Sequence, residues 1–209
     1  MSWPLIRLQK EHNIKTDKNT YHNYLNIYEK LFSKFKYEDI NFCEIGVLAG
    51  ESMKLWREYF SDAKIYGLDT FTRVSLTDVK NNIGDCDVEL RVCDSFEDDE
   101  VIKKKARGKT DGTSYGLRKK FFEELGDEKF HIIIDDGHHA PASQWKTFNN
   151  FKHYLHPDGV YIIEDIKGEK SGKEINENVD EDIIIKRMSD HHDDVLGIYS
   201  KDENFYGKI

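Results

Sequence analysis

The chain has 209 residues, 38% of them hydrophobic and 34% charged. That is enough apolar material for one well-buried core, and with a mean hydropathy of −0.73 too polar for the run of roughly 18 apolar residues that crosses a bilayer. The formal net charge of −9 argues against the basic face that nucleic acid or an anionic membrane surface requires, and three cysteines without CxxC spacing, with no secretory pattern in residues 1–10, lead us to expect a reduced, cytoplasmic protein.

Tyr21, Tyr24, Leu25, Tyr28, Leu31, Phe32 and Phe35 recur at helical spacing and predict an N-terminal helix with Thr20 as its N-cap. Five short apolar runs follow, each closed by carboxylates: residues 41–44 (NFCE), 64–69 (KIYGLD), 88–94 (VELRVCD), 130–136 (FHIIIDD) and 159–165 (GVYIIED). The unbroken, β-branched Ile132, Ile133 and Ile134 suit a strand buried on both faces. Helical stripes lie between the runs, with Met53, Trp56 and Phe60 in one, Leu117, Phe121 and Leu125 in another, and Trp145, Phe148 and Tyr154 in a third. Strand and helix in alternation predict an α/β fold, a doubly wound and mostly parallel Rossmann-like sheet with helices on both sides. Residues 97–116 are expected to hold a short helix and a mobile loop, and residues 167–180 a long polar loop. Residues 194–209 read as a strand, a turn at 201–204 and a final strand, a C-terminal antiparallel hairpin at the sheet edge. The length fits a single domain over 1–209, with 1–38 as a helical cap and 39–209 as the core.

Wound sheets bind ligands beyond the carboxyl ends of their strands. Here those ends carry Glu44, Asp69, Asp94, Asp135 with Asp136, and Glu164 with Asp165. Five acidic ends in register predict a crevice that needs cations or hydroxyls to balance it. The first turn reads E-I-G-V-L-A-G-E-S. It is neither a G-x-G-x-x-G fingerprint nor a P-loop, and Glu44 and Glu51 would repel phosphate. An acid followed by Gly46 and Gly50 suits S-adenosylmethionine (SAM), which has no phosphate and carries a sulfonium and an ammonium. Asp69 stands where an acid takes ribose hydroxyls, and Asp94 can accept from the adenine amine with Phe96 beside the ring. The expected cofactor set is Glu44, Gly46, Gly50, Ser52, Asp69, Thr70, Asp94, Ser95, Phe96 and Asp135.

A second constellation is Asp135-Asp136-Gly137-His138-His139 with Glu164-Asp165 one strand later. Converging carboxylates can hold a hard divalent ion, and oxygen ligands without nearby cysteine favour Mg2+ on Asp136, Glu164 and Asp165. Zinc on His138 and His139 is the weaker reading, because sequence neighbours rarely reach one ion together. Structural alternatives stand beside each assignment: N-capping for Asp69 and Asp94, lysine pairing for Asp136 and Asp165, a buried structural role for His139. His191-His192-Asp193-Asp194 reads as a solvated loop.

The segments CEIGVLAGESMKLWREYF, IYGLDTF, IIIDDGHH and GVYIIEDI resemble class I SAM-dependent methyltransferases. Among these, the chain is most similar over residues 16–166 to the metal-dependent sugar O-methyltransferases of macrolide biosynthesis, the mycinamicin and macrocin type, and to relatives in bacterial glycan clusters. The resemblance implies methyl transfer to a hydroxyl of a small-molecule sugar or glycan precursor. It implies a metal on Asp136, Asp165 and Glu164, and His139 as general base. His138, where relatives often carry serine, is the reserve. A pattern T-D-K-x-x-Y-H with Lys18, Tyr21 and His22 is shared with these relatives, which commonly assemble, so a homo-oligomer is compatible with the reading. The auxiliary N-terminal domain of the macrolide enzymes is not expected. Three rivals stay open: an O-methyltransferase of non-sugar metabolites or catechol-like diols, a metal-dependent hydrolase working through Asp136, His138 and His139 without SAM, and a non-catalytic subunit of the same fold.

Overall fold

The computed structural model of the chain describes residues 5–97, 117–203 and 205. Within them seven strands form one sheet: β1 (Asn41–Ile45), β2 (Lys64–Asp69), β3 (Glu89–Val92), β4 (Phe130–Asp135), β5 (Leu155–Ile163), β6 (Ile184–Arg187) and β7 (Val195–Ser200), in the order β3-β2-β1-β4-β5-β7-β6. The first five pair in parallel, and β7 runs antiparallel to both β5 and β6. The sheet is thus the expected wound α/β sheet of Rossmann-like type. The order reverses at β1, so β1 and β4 flank the crevice where such sheets take ligands.

Alternate residues of the strands feed two cores. Phe42, Ile132, Ile134 and Ile162 face a layer built on α1 (Leu5–Glu11), α2 (Leu25–Phe32), α3 (Glu51–Tyr59) and α4 (Leu76–Ile83). Cys43, Ile133, Tyr161 and Ile163 face α5 (Leu117–Leu125), α6 (Pro141–Phe151) and α7 (Gly168–Asn176). The Ile132–Ile134 triplet is therefore continuous because the period-2 alternation serves an apolar layer on either side. Among the described residues no helix is long and apolar enough to cross a membrane.

Three expectations change in detail. The N-terminal helix begins at Leu25, not after Thr20, because Asp17–Asn19 form a separate 3₁₀ turn capped by the Thr16 hydroxyl, and Thr20 closes that turn. The turn directs the Lys18 side chain inward. Residues 167–180 are not a loop throughout: they hold α7, whose Ile175 is buried and whose Gly172 lies against Ile185. A glycine contact leaves no apolar signature in the sequence. The hairpin is made by β6 and β7, one strand earlier than residues 194–209 suggest. The final strand expected after the turn at 201–204 and the helix and loop expected at 97–116 lie outside the described residues, apart from residues 97 and 205.

Candidate functional site

The loop from β1 to α3 turns through three residues of positive φ, Gly46 (+92°), Leu48 (+48°) and Gly50 (+85°), two of which are glycines that adopt it without strain. Gly46 donates its N–H to the Leu68 carbonyl at 2.8 Å. Asp69 organises the same loop. One carboxylate oxygen accepts from Val47 (2.8 Å) and Leu48 (3.1 Å), and the other from the Phe71 N–H at 2.8 Å. Thr70 follows, its hydroxyl 3.0 Å from that of Thr72. Helix α4 is capped by Ser75, so Asp69 is not its N-cap. At the third strand end Asp94 Oδ1 accepts from the N–H groups of Phe96 (3.3 Å) and Glu97 (3.0 Å), a local turn. Ser95 and Thr147 share a buried hydroxyl contact of 3.1 Å. The Phe96 ring stands 5.5 Å from that of His138, so the third strand's loop reaches the motif after β4.

The acids of β1, β4 and β5 gather around one buried cation. Lys18 is 1% exposed, and its Nζ donates to Asp136 Oδ2 (2.7 Å) and to both oxygens of Glu164 (2.7 and 2.8 Å). Glu44 Oε1 lies 3.1 Å from the same nitrogen. Burial works against the ammonium, but Asp136, Glu164 and Glu44 together hold its pKa well above the usual value. Glu44 Oε2 takes Ser52 Oγ (2.7 Å) and Trp56 Nε1 (2.9 Å) from α3, and Glu164 Oε1 takes the Tyr28 hydroxyl at 2.6 Å. Burial raises the pKa of both glutamates, Glu164 the more strongly.

Asp165, with φ +54°, directs its carboxylate between two histidines. Oδ1 accepts from the Tyr24 hydroxyl at 2.8 Å and lies 3.4 Å from His22 Nε2, and Oδ2 lies 3.4 Å from His139 Nδ1. His139 Nε2 is in turn 3.3 Å from Asp136 Oδ1. Burial opposes the imidazolium of His139, yet the carboxylates of Asp136, Asp165 and Asp135 raise its pKa. Burial likewise pushes Asp136 up, but Lys18 and His139 outweigh it and hold that carboxyl below the usual range. Asp165 is raised, by burial and then by Asp136. Asp135 points the other way. It is 2% exposed, accepts from Gly137 N–H at 3.3 Å, and burial lifts its pKa to about 7.

Two overlapping groups of donors thus sit within coordination reach: Asp136, His139 and Asp165, and Glu44, Asp136 and Glu164, the ligand atoms of each lying within 4.8 Å of one another. The first set, two carboxylates and an imidazole, fits a divalent ion. The second surrounds the Lys18 ammonium. His138 is not brought into either group; its Nδ1 accepts from the Ala140 N–H at 3.3 Å, which removes the pairing a two-histidine zinc site needs.

Sequence reasoning missed how the N-terminal segment completes the site. Tyr24 and Tyr28 have the core positions their spacing implies, but their hydroxyls end on Asp165 and Glu164. Asp194, read as part of a solvated loop, is fully buried and lies 3.6 Å from His22 Nδ1. The available signal was the concentration of Lys18, His22, Tyr24 and Tyr28 in one short segment, too polar for a core helix.

No family model matches the chain. It is 25% identical over 153 residues to the 8-demethyl-8-(2-methoxy-alpha-L-rhamnosyl)-tetracenomycin-C 3'-O-methyltransferase of Streptomyces olivaceus, covering 70% of this chain and 33% of that protein. It is 25% identical over 147 residues to the mycinamicin VI 2''-O-methyltransferase of Micromonospora griseorubida, covering 66% and 30%. The chain therefore spans about a third of the length of these relatives. Among solved structures, the MycE methyltransferase of the mycinamycin biosynthetic pathway, in complex with Mg and SAH, superposes with a TM-score of 0.56 at 23% identity, over 79% of this chain and 38% of that one. The O-methyltransferase NovP superposes with a TM-score of 0.54 at 15% identity, over 84% and 78%. The chain thus has the Rossmann-like fold of the SAM-dependent methyltransferases and resembles the sugar O-methyltransferases of the tetracenomycin, mycinamicin and macrocin pathways.

Proposed function

We propose that this chain is a SAM-dependent O-methyltransferase that methylates a hydroxyl of a small sugar or glycan precursor with the help of a divalent ion, Mg2+ by the chemistry of its ligands. The observation that carries this reading is the placement of Asp136, His139 and Asp165 on the strand ends next to the Gly46–Asp69 loop. An acidic mouth suits a sulfonium donor, and the names of the relatives supply the sugar hydroxyl as acceptor.

In this reading Gly46 and Gly50 shape the cofactor loop, Asp69 fixes its backbone and faces the ribose, and Asp94, Ser95 and Phe96 border the adenine. Residues 1–38 act as a cap that delivers Lys18, His22, Tyr24 and Tyr28 to the core. Asp136 and Asp165 hold the ion, which when bound lowers the pKa of a coordinated hydroxyl and orients a vicinal diol. His139, oriented by Asp136 and Asp165, accepts the hydroxyl proton, a step worth roughly 10²–10⁴-fold. Transfer is an in-line displacement at the methyl carbon, and holding oxygen and methyl about 3–3.5 Å apart supplies much of the remaining acceleration. Calorimetry with S-adenosylhomocysteine, followed by mass spectrometry of a panel of glycosides and phenols incubated with SAM and Mg2+, tests it. Binding of the nucleoside and a gain of one methyl on a glycoside is the expected outcome; no binding of the nucleoside overturns it, and methylation confined to phenols moves the acceptor to the catechol class.

A further inference from the structure

The His191-His192-Asp193-Asp194 motif lies in the turn between β6 and β7, which the Met188 N–H closes on the Asp194 carbonyl at 2.8 Å. Because β7 runs antiparallel to β5, this turn stands at the same rim of the sheet as the carboxyl end of β5. The N-terminal segment lies against it residue by residue. The Tyr24 hydroxyl donates to the Asp193 carbonyl at 3.2 Å, the Asn23 N–H donates to Asp194 Oδ1 at 3.5 Å, and His22 Nδ1 lies 3.6 Å from that oxygen. Tyr21 completes the series by stacking on His191, with ring centroids 5.1 Å apart and planes at 30°, while the His22 ring meets it edge-on at 4.8 Å. His191 is itself pinned: Arg187 donates to its carbonyl at 3.1 Å, and its N–H donates to Ser189 Oγ at 3.2 Å.

Tyr21 nevertheless stays 54% exposed, beside His22 and Tyr24 at 6% and 0%. A tyrosine held at a fixed tilt by two rings but left half in water adds little to the core. What it offers is a rigid apolar face. Its position gives that face a ligand. The sheet order reverses at β1, and Gly46, Asp69 and Asp94 occupy the β1–β3 half of the rim. With the methyl donor over that half, an acceptor enters over β4, β5 and β7, where His139 and the Tyr21–His191 pair both stand. Only His22 and the Asp165 carboxylate separate the two, for Asp165 lies 3.4 Å from His22 Nε2 and 3.4 Å from His139 Nδ1. A pyranoside carries hydroxyls around its edge and C–H bonds on its faces. The edge suits carboxylate and imidazole, and a face suits an aromatic ring.

We infer that Tyr21, backed by His191, is the platform on which the acceptor's sugar ring lies while one of its hydroxyls faces His139, and that this pair selects pyranosides as acceptors. The inference rests on the glycoside-methylating reading above and deepens it. Tyr21 binds the acceptor and takes no part in the proton transfer.

Saturation-transfer NMR on the full chain with Mg2+ reads the contact without turnover, using methyl pyranosides of the gluco, manno, galacto and 6-deoxy-manno series and catechol as probes. We expect at least one pyranoside to receive saturation, strongest at the C–H protons of one face. Tyr21→Ala weakens its binding by about tenfold, as removal of one covered ring face should. Tyr21→Trp keeps or tightens it, and His191→Ala weakens it by about threefold because the ring loses its support. Tyr37→Ala, which removes a 68% exposed ring just before the start of β1, changes nothing. On a pyranoside that is methylated, Tyr21→Ala raises KM by about tenfold and leaves kcat within about twofold, with S-adenosylhomocysteine affinity unaltered. Saturation of no pyranoside, saturation of catechol alone, a Tyr21→Ala variant that binds the pyranoside as tightly as wild type, or a loss carried by kcat overturns the inference. S-adenosylhomocysteine binding is measured separately by calorimetry. Its absence defeats the methyltransferase reading while leaving the NMR contact to judge Tyr21.

Discussion

Gly46 and Asp136 meet main chain to main chain: a Cβ built on Gly46 would overlap the Asp136 carbonyl, and the glycine also holds φ at +92°. The cofactor loop and the acid motif are thereby locked together across two neighbouring parallel strands. Gly46→Ala is expected to cost at least about 3 kcal/mol, because backbone cannot rotate away as a flexible side chain does. The contrasting control is Gly126→Ala, just past the end of α5 at φ +62° with open space around it, which should cost only about 1 kcal/mol of backbone strain. Thermal midpoints of the two variants check the difference, and equal losses would show that the close approach carries no constraint.

Asp135 makes stability pH-dependent. Burial holds its carboxyl neutral up to about pH 7 in the folded protein, whereas in the unfolded chain it ionises near its ordinary value of about 3.9. The unfolded state therefore binds fewer protons through this window, and the contribution of Asp135 to stability falls as pH rises from about 4 to about 7. The full effect is up to about 4 kcal/mol. Asp135→Asn should gain on the wild type across that interval and stop gaining above it; a constant gap in denaturation midpoint would refute the assignment.

His139 titrates in the opposite sense. Its pKa lies above the ordinary histidine value, so the stability contributed by its charge is present below about pH 6.5 and is lost as pH rises through the raised pKa. Imidazole resonances of the ion-free protein should show a midpoint above 6.5 that drops in Asp136→Asn. His139→Ala should lower turnover by about 10²–10⁴-fold with S-adenosylhomocysteine affinity unchanged. A variant that turns over normally removes His139 as the base.

Tyr24 and His22 hold Asp165 from behind, at 2.8 and 3.4 Å. Partners that orient a ligating carboxylate typically matter by 10–100-fold in ion affinity. Tyr24→Phe and His22→Gln should each weaken manganese binding by about tenfold and leave nucleoside binding intact. Unchanged ion affinity in both would place the ion elsewhere.

The acids at the five strand ends were legible because the β-strand period and the parallel topology put every C-terminal residue on one rim, whatever the packing details. Asp136, Asp165 and His139 converge for that reason. Glu44 illustrates what was not legible. Sequence places it at the crevice as a cofactor contact, but whether its carboxylate faces the cavity or the core depends on Lys18, Ser52 and Trp56, which approach from separate elements. Asp194 escaped for the same reason. Nothing local distinguishes a solvated aspartate from one covered by a histidine 172 positions earlier in the chain, and Asn23, also from the N-terminal segment, donates its N–H to Asp194 Oδ1. Helix α7 was missed because Gly172 packs by being small.

The contacts that neutralise the acidic rim span 118 residues from Lys18 to Asp136 and 146 from Lys18 to Glu164. Such distant closures pay their loop entropy before any reward arrives. During refolding the sheet can therefore zip up through β1, β2 and β4 while Glu44 and Glu164 still carry protons or solvent in place of a counter-charge. The last event is then the docking of a single side chain, and its rate should rise as the medium turns alkaline and the more negative rim draws the ammonium in.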